Sequence, residues 1–154
     1  MNLFIKRFHE LSLDELYDIL ALRSEIFVVE QNCPYGDCDG KDKFAYHLYY
    51  KEKDEILAYS RILDKGISYG EVSIGRVVVN KNHRRKGLAI KMMKKAIEFV
   101  EKDLRESSIR LSAQVYARVL YESVGFKQVS EEYLEDNIPH IEMLYKNKQI
   151  GEQV

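Results

Sequence analysis

The sequence predicts an α/β protein in which helices pack on a mixed β-sheet. Strand patterns dominate the first part of the chain, and the patterns strand, helix, strand, helix, strand and strand follow in that order. This order is typical of a sheet covered by helices. The 154 residues are 45% hydrophobic, which is enough for one buried core. Because no linker, repeat or low-complexity tract interrupts the chain, we predict a single domain over residues 1–154.

The first strand and the first helix carry local signals of their own. Leu3 to Phe8 has the apolar content of a strand. Ser12 followed three residues later by Glu15 is a capping box, the pattern that starts a helix. Apolar residues then recur at helical spacing, so this helix is expected to run to about Phe27. The stretch Asn32–Asp42, rich in Gly, Asp and Pro, is expected to be a loop.

The remaining elements follow from the same periodicities. We predict strands at Ala45–Tyr50, Ile56–Leu63, Val72–Val79, Ile109–Ala113, Phe126–Tyr133 and Ile141–Tyr145, the first two as a hairpin, and helices at Gly87–Leu104 and Ala117–Ser123. The buried stripe of the longer helix is expected at Met93, Ala96, Ile97, Val100 and Leu104. Gly125 is expected to end the shorter helix in a left-handed conformation.

Composition argues against several classes of protein. The net charge is −1 with 32% charged residues, an ordinary surface and not one that binds polyanions such as nucleic acid. Cys33 and Cys38 form no disulfide framework, so a cytoplasmic setting is expected. We also expect no secretion signal and no membrane partner, because no apolar run approaches the ~20 residues that a membrane span needs.

The segment from Val77 to Ala89 has the composition of an anion-binding site. A buried strand, Val77-Val78-Val79, ends here, and a basic turn, Arg84-Arg85-Lys86, leads into a helix that begins with Gly87-Leu88-Ala89. The first turn of a helix presents free N–H groups and partial positive charge, to which pyrophosphate binds well. Small residues at Gly87 and Ala89 let phosphates approach the backbone, and the basic side chains add charge.

Other interpretations of this segment are a solvated basic turn and a nucleic-acid patch. Lys91, Lys94 and Lys95 would extend such a patch, but the net charge and the lack of interleaved exposed aromatic residues argue against it. A dinucleotide or nucleoside-triphosphate site is disfavoured because neither G-x-G-x-x-G nor G-x-x-x-x-G-K-[ST] occurs.

Two blocks together resemble the GNAT superfamily of N-acetyltransferases. The strand, R-x-x-G-x-A and helix resemble its acyl-CoA signature, and Gln114–Phe126 resembles its N-x-x-A-x-x-x-Y-E-x-x-G-F block, with Gln114 at the usual Asn. The chain is similar in particular to the ElaA family, with Asn137 where Gly is expected. The segments that carry this likeness are Leu22–Gln31, Cys33–Tyr35, Asp37, Asp39–Asp42, His47, Ile74–Val79, Ala113–Gln114 and Glu135–His140.

The resemblance implies a fold and an activity. It implies a central, mostly antiparallel sheet, splayed in the middle, with helices on both faces and with pantetheine in the gap. It implies acetyl-CoA as co-substrate, direct transfer of its acetyl group to a primary amine, and CoA contacts from Val77, Val78, Val79, Arg84, Arg85, Lys86, Gly87, Leu88, Ala89, Gln114 and Tyr121. The alternative is a non-catalytic acyl-CoA-binding or sensing module with the same fold.

The resemblance places a general acid at Tyr121. A phenol is a suitable proton donor to a thiolate; the competing role is a core tyrosine whose hydroxyl orients the sulfur. The general base stays open. The candidates are Glu30, His47, Glu71, Glu135, His140 or a chain of water molecules, and His140 after Pro139 could equally serve only to open the last strand.

Acidic residues cluster where the resemblance puts the acceptor entrance. Asp37, Asp39 and Asp42 lie in the loop after the first helix. Acceptor contacts are expected from Glu30, His47, Glu135 and Asp136. An acidic entrance would attract a small cationic amine or a peptide amine, whereas the competing interpretation is ordinary loop aspartates.

We expect the protein to have no metal site and to form a homodimer. Two thiols five residues apart are a weak zinc signal, and the loop aspartates lack calcium-loop spacing. Because GNAT proteins often pair, we expect a homodimer. Tyr49, Tyr50 and Tyr69 are candidates for its interface or, equally, for the core.

Overall fold

A computed structural model describes residues 1–147, so the predicted domain end at residue 154 lies outside the described part. The strands are β1 (Asn2–Arg7), β2 (Tyr46–Glu52), β3 (Glu55–Leu63), β4 (Val72–Val79), β5 (Ser108–Gln114), β6 (Lys127–Gln128), β7 (Tyr133–Glu135) and β8 (Ile138–Lys146). The α-helices are α1 (Leu13–Arg23), α2 (Leu88–Lys102) and α3 (Arg118–Ser123). Within residues 1–147, no helix has the length and apolar character needed to cross a membrane.

The eight strands form one sheet that opens in its middle. Their order is β1-β2-β3-β4-β5-β8-β6, with β7 added on β8. All pairs are antiparallel except β4 and β5, which run parallel and pair only at Val72–Ile109 and Ser73–Arg110. No further β4–β5 pair follows Ser73 along the described residues of the two strands. The two strands therefore diverge beyond this point. The predicted mostly antiparallel, splayed sheet is therefore confirmed.

Helices cover both faces of the sheet, as expected. On one face α2 packs through Met93, Ala96, Ile97 and Val100, which are all buried, whereas Leu104 of the predicted stripe is only half-buried. On the other face α1 and the segment after it bury Ile19 and Ile26 against Tyr49, Tyr59 and Val78. Each face thus has its own apolar core, and the opening between β4 and β5 lies between the two.

The first helix ends earlier than predicted and changes its winding. α1 stops at Arg23, and the chain continues as a π-helical segment, Ser24–Glu30. Its wider turn is visible in bonds between residues five apart: Gln31 donates to the Ile26 carbonyl at 3.1 Å and Cys33 to the Val28 carbonyl at 3.0 Å. Such segments are rare and occur frequently at functional sites. This one brings Glu30 and Gln31 to the cavity.

The strand predicted at Phe126–Tyr133 is wrong. β6 covers only Lys127–Gln128, and pairing resumes at Tyr133 in β7. The interruption has a local cause, because the Ser130 hydroxyl, and not a backbone carbonyl, accepts the amide hydrogen of Glu142 at 2.8 Å. The last strand is correspondingly longer than predicted, Ile138–Lys146, and the left-handed pair Asp136-Asn137 links it to β7, a combination typical of a two-residue hairpin turn.

Local signals at helix ends are confirmed. The Ser12 hydroxyl accepts the amide of Glu15 at 3.0 Å, and the Glu15 carboxylate accepts the amide of Ser12. Gly125 ends the turn after α3 with φ +103°, and a Cβ there would lie 3.1 Å from the Tyr145 ring. Both the backbone conformation and the close ring therefore require glycine.

Candidate active site

A cavity of about 900 Å³ fills the opening between β4 and β5. Because β4 loses its partner beyond Ser73, the backbone groups of Ile74–Val79 on that side remain available to a ligand. Val77, Val78 and Val79, for which the family resemblance implies CoA contacts, all line this cavity. A bulge in β4, where Arg76 has φ +51°, turns the strand at mid-length.

One end of the cavity is the predicted anion site at the start of α2. Arg84, Arg85, Gly87, Leu88 and Ala89 line it, but Lys86 lines a separate, smaller pocket. The contact of Lys86 with the ligand stays a prediction. Arg85 and Gly87 both have left-handed φ values, 64° and 72°, which turn the chain into α2, whose first N–H groups have no partner within the helix.

Arg84 holds Glu30 in a bidentate ion pair. Its Nη1 and Nη2 donate to the two Glu30 carboxylate oxygens at 3.0 and 2.7 Å. The hydrogen bond from Arg84 is the main reason that the pKa of Glu30 lies below its ordinary value. Glu30 is thus a poor candidate for the general base, and the predicted phosphate ligand Arg84 is already bound to an anion of the protein itself.

We expect Glu30→Gln to bind acetyl-CoA more tightly by up to about fivefold, because Arg84 no longer pairs with a competing carboxylate and exposed ion pairs contribute about 0.2–1 kcal/mol. Isothermal titration would measure the dissociation constant. Glu25→Gln is the matched control, since Glu25 pairs only loosely with Lys81 at 3.9 Å and does not line the cavity. Weaker binding by Glu30→Gln would mean that the ion pair supports the ligand.

Tyr121 lies on α3 with its side chain at the cavity wall. Its ring packs edge-on against Phe126, with centroids 6.0 Å apart. Burial raises the pKa of the phenol above its ordinary value, so the hydroxyl stays protonated at neutral pH. Gln114, at the end of β5, also lines the cavity and donates to the Gln31 side-chain oxygen at 3.2 Å.

A second compartment of the cavity lies on the α1 face of the sheet. Residues of β5 alternate: Leu111 and Ala113 are buried in the α2 core, so Ser112 and Gln114 face the opposite side. Glu135, Asp136 and His140 line the cavity together with Ser112, and the sequence-predicted acceptor residues Glu135 and Asp136 are both exposed.

His140 and Glu135 form a pair in this compartment. His140 Nδ1 lies 2.6 Å from the Ile138 carbonyl oxygen. A carbonyl can only accept, so Nδ1 carries the hydrogen and Nε2 is the remaining ring nitrogen. Nε2 lies 3.3 Å from a Glu135 carboxylate oxygen. Of the predicted base candidates, these two side chains are brought together within reach of a ligand.

The structure corrects the prediction for His47. It is fully buried, its Nδ1 lies 2.7 Å from the Tyr59 hydroxyl and its Nε2 lies 2.8 Å from the Asp42 carbonyl. It does not line the cavity. The carbonyl requires the hydrogen on Nε2, so Nδ1 accepts from Tyr59 and the ring is held neutral. His47 is therefore a buried structural histidine outside the cavity.

The buried His47 predicts a loss of stability in acid. Burial lowers its folded-state pKa, whereas the unfolded value is about 6.5. Below that pH the unfolded chain binds a proton that the folded chain does not, so the free energy of unfolding falls as pH decreases. Between pH 7.5 and 5.5 the wild type should lose about 1 kcal/mol more than His47→Gln in urea unfolding. Exposed His9→Gln is the control and should keep the wild-type slope.

The loop aspartates are not an open acidic entrance. Each one pairs with arginine: Asp37 with Arg23 and Arg76, Asp42 with Arg23 and Arg61, and Asp39 with Arg61 and Arg76, at 2.8 to 3.4 Å. Burial alone would raise the pKa of Asp42, but hydrogen bonds from Arg23 and Arg61 and their charges lower it below its ordinary value. We call these six side chains the Arg–Asp network.

The contacts of several other residues argue against the base, interface or metal-binding roles considered for them. Glu71 pairs with Arg110 at 2.9 Å and does not line the cavity. Tyr49 and Tyr50 are core residues, so they are unavailable to an interface, whereas Tyr69 is half-buried at the cavity wall. Both cysteines are free thiols. In the described part of the chain, no group of three or more His, Cys, Asp or Glu side chains is arranged to hold a metal ion.

Comparison with known proteins gives the family. The sequence model of the family described as Acetyltransferase (GNAT) domain matches residues 26–147. The chain belongs to the GNAT acetyltransferase family. Within it, the chain is 41% identical to Escherichia coli ElaA over 136 residues, covering 87% of this chain and 89% of ElaA. A UPF0039 protein of Schizosaccharomyces pombe is 43% identical over 140 residues, 90% of this chain and 92% of that protein.

Solved GNAT structures agree with this fold. An acyl-CoA N-acyltransferase from Pseudomonas aeruginosa superposes with a TM-score of 0.88 at 40% identity, covering 94% of this chain and 99% of that one. Escherichia coli ElaA superposes with the same score at 38% identity, covering 95% and 100%. A more distant GNAT enzyme, spermidine N-acetyltransferase from Vibrio cholerae in complex with CoA and spermine, shares the fold at 15% identity and a TM-score of 0.72, covering 96% and 97%.

Sequence reasoning missed several residues of this GNAT site. Tyr35, Lys41, Arg61, Ser68 and Tyr69 all line the cavity. They come from the loop before β2, from β3 and from the β3–β4 connection. Tyr35 and Lys41 lie in segments that carry the ElaA likeness, but that likeness assigned neither residue a role in the site. For the Arg–Asp network, the only signal in the sequence is that three arginines and three aspartates occur in segments far apart in the chain. That signal could have suggested that these charges pair with one another.

Proposed function

We propose that this GNAT protein transfers the acetyl group of acetyl-CoA to the nitrogen of a primary amine by direct attack. The observation that carries the proposal is the opening between β4 and β5, which joins the anion site at Gly87 to the compartment of His140 through a single cavity. An acyl donor with a phosphate-bearing tail and an amine acceptor could therefore meet at mid-sheet from opposite sides.

The chain's own residues can supply what this transfer needs. Backbone N–H groups of Val77–Val79 lie at the edge of the opening and would stabilise the negative charge that develops on the carbonyl oxygen. As the new C–N bond forms and the C–S bond breaks, Tyr121 would donate its proton to the leaving sulfur. Burial raises the pKa of the Tyr121 phenol, which makes the phenol a weaker acid, so the transfer depends on the negative charge that develops on the sulfur beside it.

The general base in this proposal is His140. Glu30 is bound to Arg84, His47 is buried outside the cavity and Glu71 is bound to Arg110. The hydrogen bond of His140 Nδ1 to Ile138 leaves Nε2 to accept the proton of the amine, and Glu135 at 3.3 Å would stabilise the resulting imidazolium.

A pH–rate profile tests this assignment. The acid limb of kcat/KM in the wild type should reflect a group that must be unprotonated, and it should shift or vanish in His140→Gln. His9→Gln is the matched control, since His9 is exposed and does not line the cavity. An unchanged acid limb in His140→Gln would instead favour a chain of water molecules as base.

The proposed acceptor is a small cationic amine or a peptide amine. Glu135 and Asp136 are the acids that remain available to it, because the network arginines neutralise the loop aspartates. These two carboxylates would attract an ammonium group at the entrance, and His140 would then remove its proton. The polyamine spermine is one member of a suitable acceptor panel.

The test of the proposed function is release of the CoA thiol from acetyl-CoA in the presence of an amine panel. Release that depends on an amine, with an acetylated product detected by mass spectrometry, supports the enzyme. Binding of acetyl-CoA with no turnover on any amine would favour the alternative, a non-catalytic acyl-CoA-binding or sensing module. The homodimer and the cytoplasmic setting stay predictions.

A further inference from the structure

We infer that the acceptor amine also carries a carboxylate, which Lys41 binds at the end of the cavity opposite the anion site. This inference rests on the proposed function and specifies its acceptor. It narrows the two proposed acceptor classes to the second, a peptide amine or an amino acid, in which the molecule that carries the amine also carries a carboxylate.

Lys41 lies in the cavity wall and pairs with no carboxylate of the described residues. It is half-buried, it lines the cavity, and its Nζ donates to the Ser68 hydroxyl at 2.8 Å. Among residues 1–147 it takes part in no ion pair. An ammonium group has three donors, so the neutral Ser68 hydroxyl leaves two of them for a ligand. A lysine that served only the fold would more often be found on the solvated surface.

The neighbouring acids cannot neutralise Lys41. Both oxygens of Asp39, the nearest acid in sequence, accept from Arg61 at 2.8 Å, and Arg76 adds a contact at 3.4 Å. Asp37 and Asp42 are likewise held by arginines. With Lys41 added to the Arg–Asp network, four cations face three carboxylates, and this end of the cavity carries excess positive charge.

A second unsatisfied donor lies in the same wall. Arg61 is 4% exposed and lines the cavity, and its Nε has no hydrogen-bond partner among the described residues. A buried guanidinium nitrogen without an acceptor is costly. A carboxylate at this end of the cavity would meet the donors of Lys41 and Ser68, beside the positive charge of Arg61.

This positive end belongs to the acceptor compartment and not to the CoA phosphates. Ser68 and Tyr69 lie in the connection before β4, whereas Arg84 follows the other end of that strand. The length of β4 separates the two by roughly 20 Å. Tyr69, next to Ser68 in the chain, lines the same cavity as Glu135 and His140, so the Lys41 end and the His140–Glu135 pair face one space. An acceptor with its amine at His140 could place an acid group at Lys41.

Matched acceptors test the inference. The amine 6-aminohexanoate and its uncharged amide, 6-aminohexanamide, differ only in the terminal carboxylate. We expect kcat/KM of the wild type to favour the acid by about tenfold or more, the usual contribution of a hydrogen bond between charged groups. In Lys41→Gln the ratio of acid to amide should fall to near one, and in Lys41→Arg it should be largely retained. Lys43→Gln is the matched control, because Lys43 is exposed in the same turn and lies outside the cavity.

The outcomes separate this inference from the proposed function. If amines are acetylated but the wild type is indifferent to the carboxylate, or Lys41→Gln keeps the wild-type ratio, the carboxylate site is wrong while the acetyltransferase stands. If no amine in the panel is acetylated although acetyl-CoA binds, the proposed function fails first. A ratio lost equally in Lys43→Gln would point to general surface charge and would also overturn the assignment to Lys41.

Discussion

Replacing Tyr121 by Phe is expected to lower kcat about 10²–10⁴-fold while the affinity for acetyl-CoA changes little. The change removes one hydroxyl and keeps the ring that packs against Phe126, so α3 should stay in place. Without the phenol proton, the leaving sulfur departs as an unprotonated thiolate, which raises the barrier to breaking the C–S bond. Steady-state rates with a saturating amine, combined with binding of acetyl-CoA by titration, separate the two effects.

Tyr145→Phe is the matched control for this prediction. Tyr145 belongs to the same aromatic cluster through Phe126, but its hydroxyl donates to Glu101 and the residue does not line the cavity. It should therefore keep wild-type kcat. If Tyr121→Phe also keeps wild-type kcat while chemistry limits the rate, Tyr121 is a core residue. If it loses acetyl-CoA binding instead, the hydroxyl mainly positions the donor.

Local patterns explain why much of the fold was predictable. β4 has the predicted bounds, Val72–Val79, because β-branched residues fill it. The capping box fixes the start of α1 and the apolar stripe fixes the position of α2. The opening between β4 and β5 was predictable only through the family resemblance, since no periodicity records that two neighbouring strands diverge.

The sequence did not reveal which charged side chains from distant segments form ion pairs with each other. Asp37 has the sequence context of a loop aspartate, and nothing near it indicates that Arg23 and Arg76 bind it. Glu30 and Arg84 were assigned to opposite ends of the site, yet they form an ion pair across 54 residues. Charges brought together by the fold neutralise each other, so a count of acids along the chain overestimated how acidic the acceptor entrance is.

Replacing Gly87 by Glu is expected to abolish the stabilisation that acetyl-CoA confers. At about 100 times its dissociation constant, a ligand adds about 2.7 kcal/mol to the free energy of unfolding, which for a chain of this size raises the Tm by roughly 5–10 °C. A Cβ at Gly87 meets no atom within 4 Å, so the longer side chain can project into the anion site. Its carboxylate would occupy the space of the phosphates and repel them.

A second glycine separates this effect from backbone strain. Gly87 has φ +72°, so any other residue there also costs about 1–2 kcal/mol of stability without ligand. Gly66→Glu carries the same charge change at φ +89°, with equally open space, and Gly66 lies outside the cavity. It should lower the Tm of the free protein to a similar extent and keep the full shift with acetyl-CoA. A shift retained in Gly87→Glu would place the phosphates elsewhere, because a carboxylate at the start of α2 and a bound pyrophosphate exclude each other.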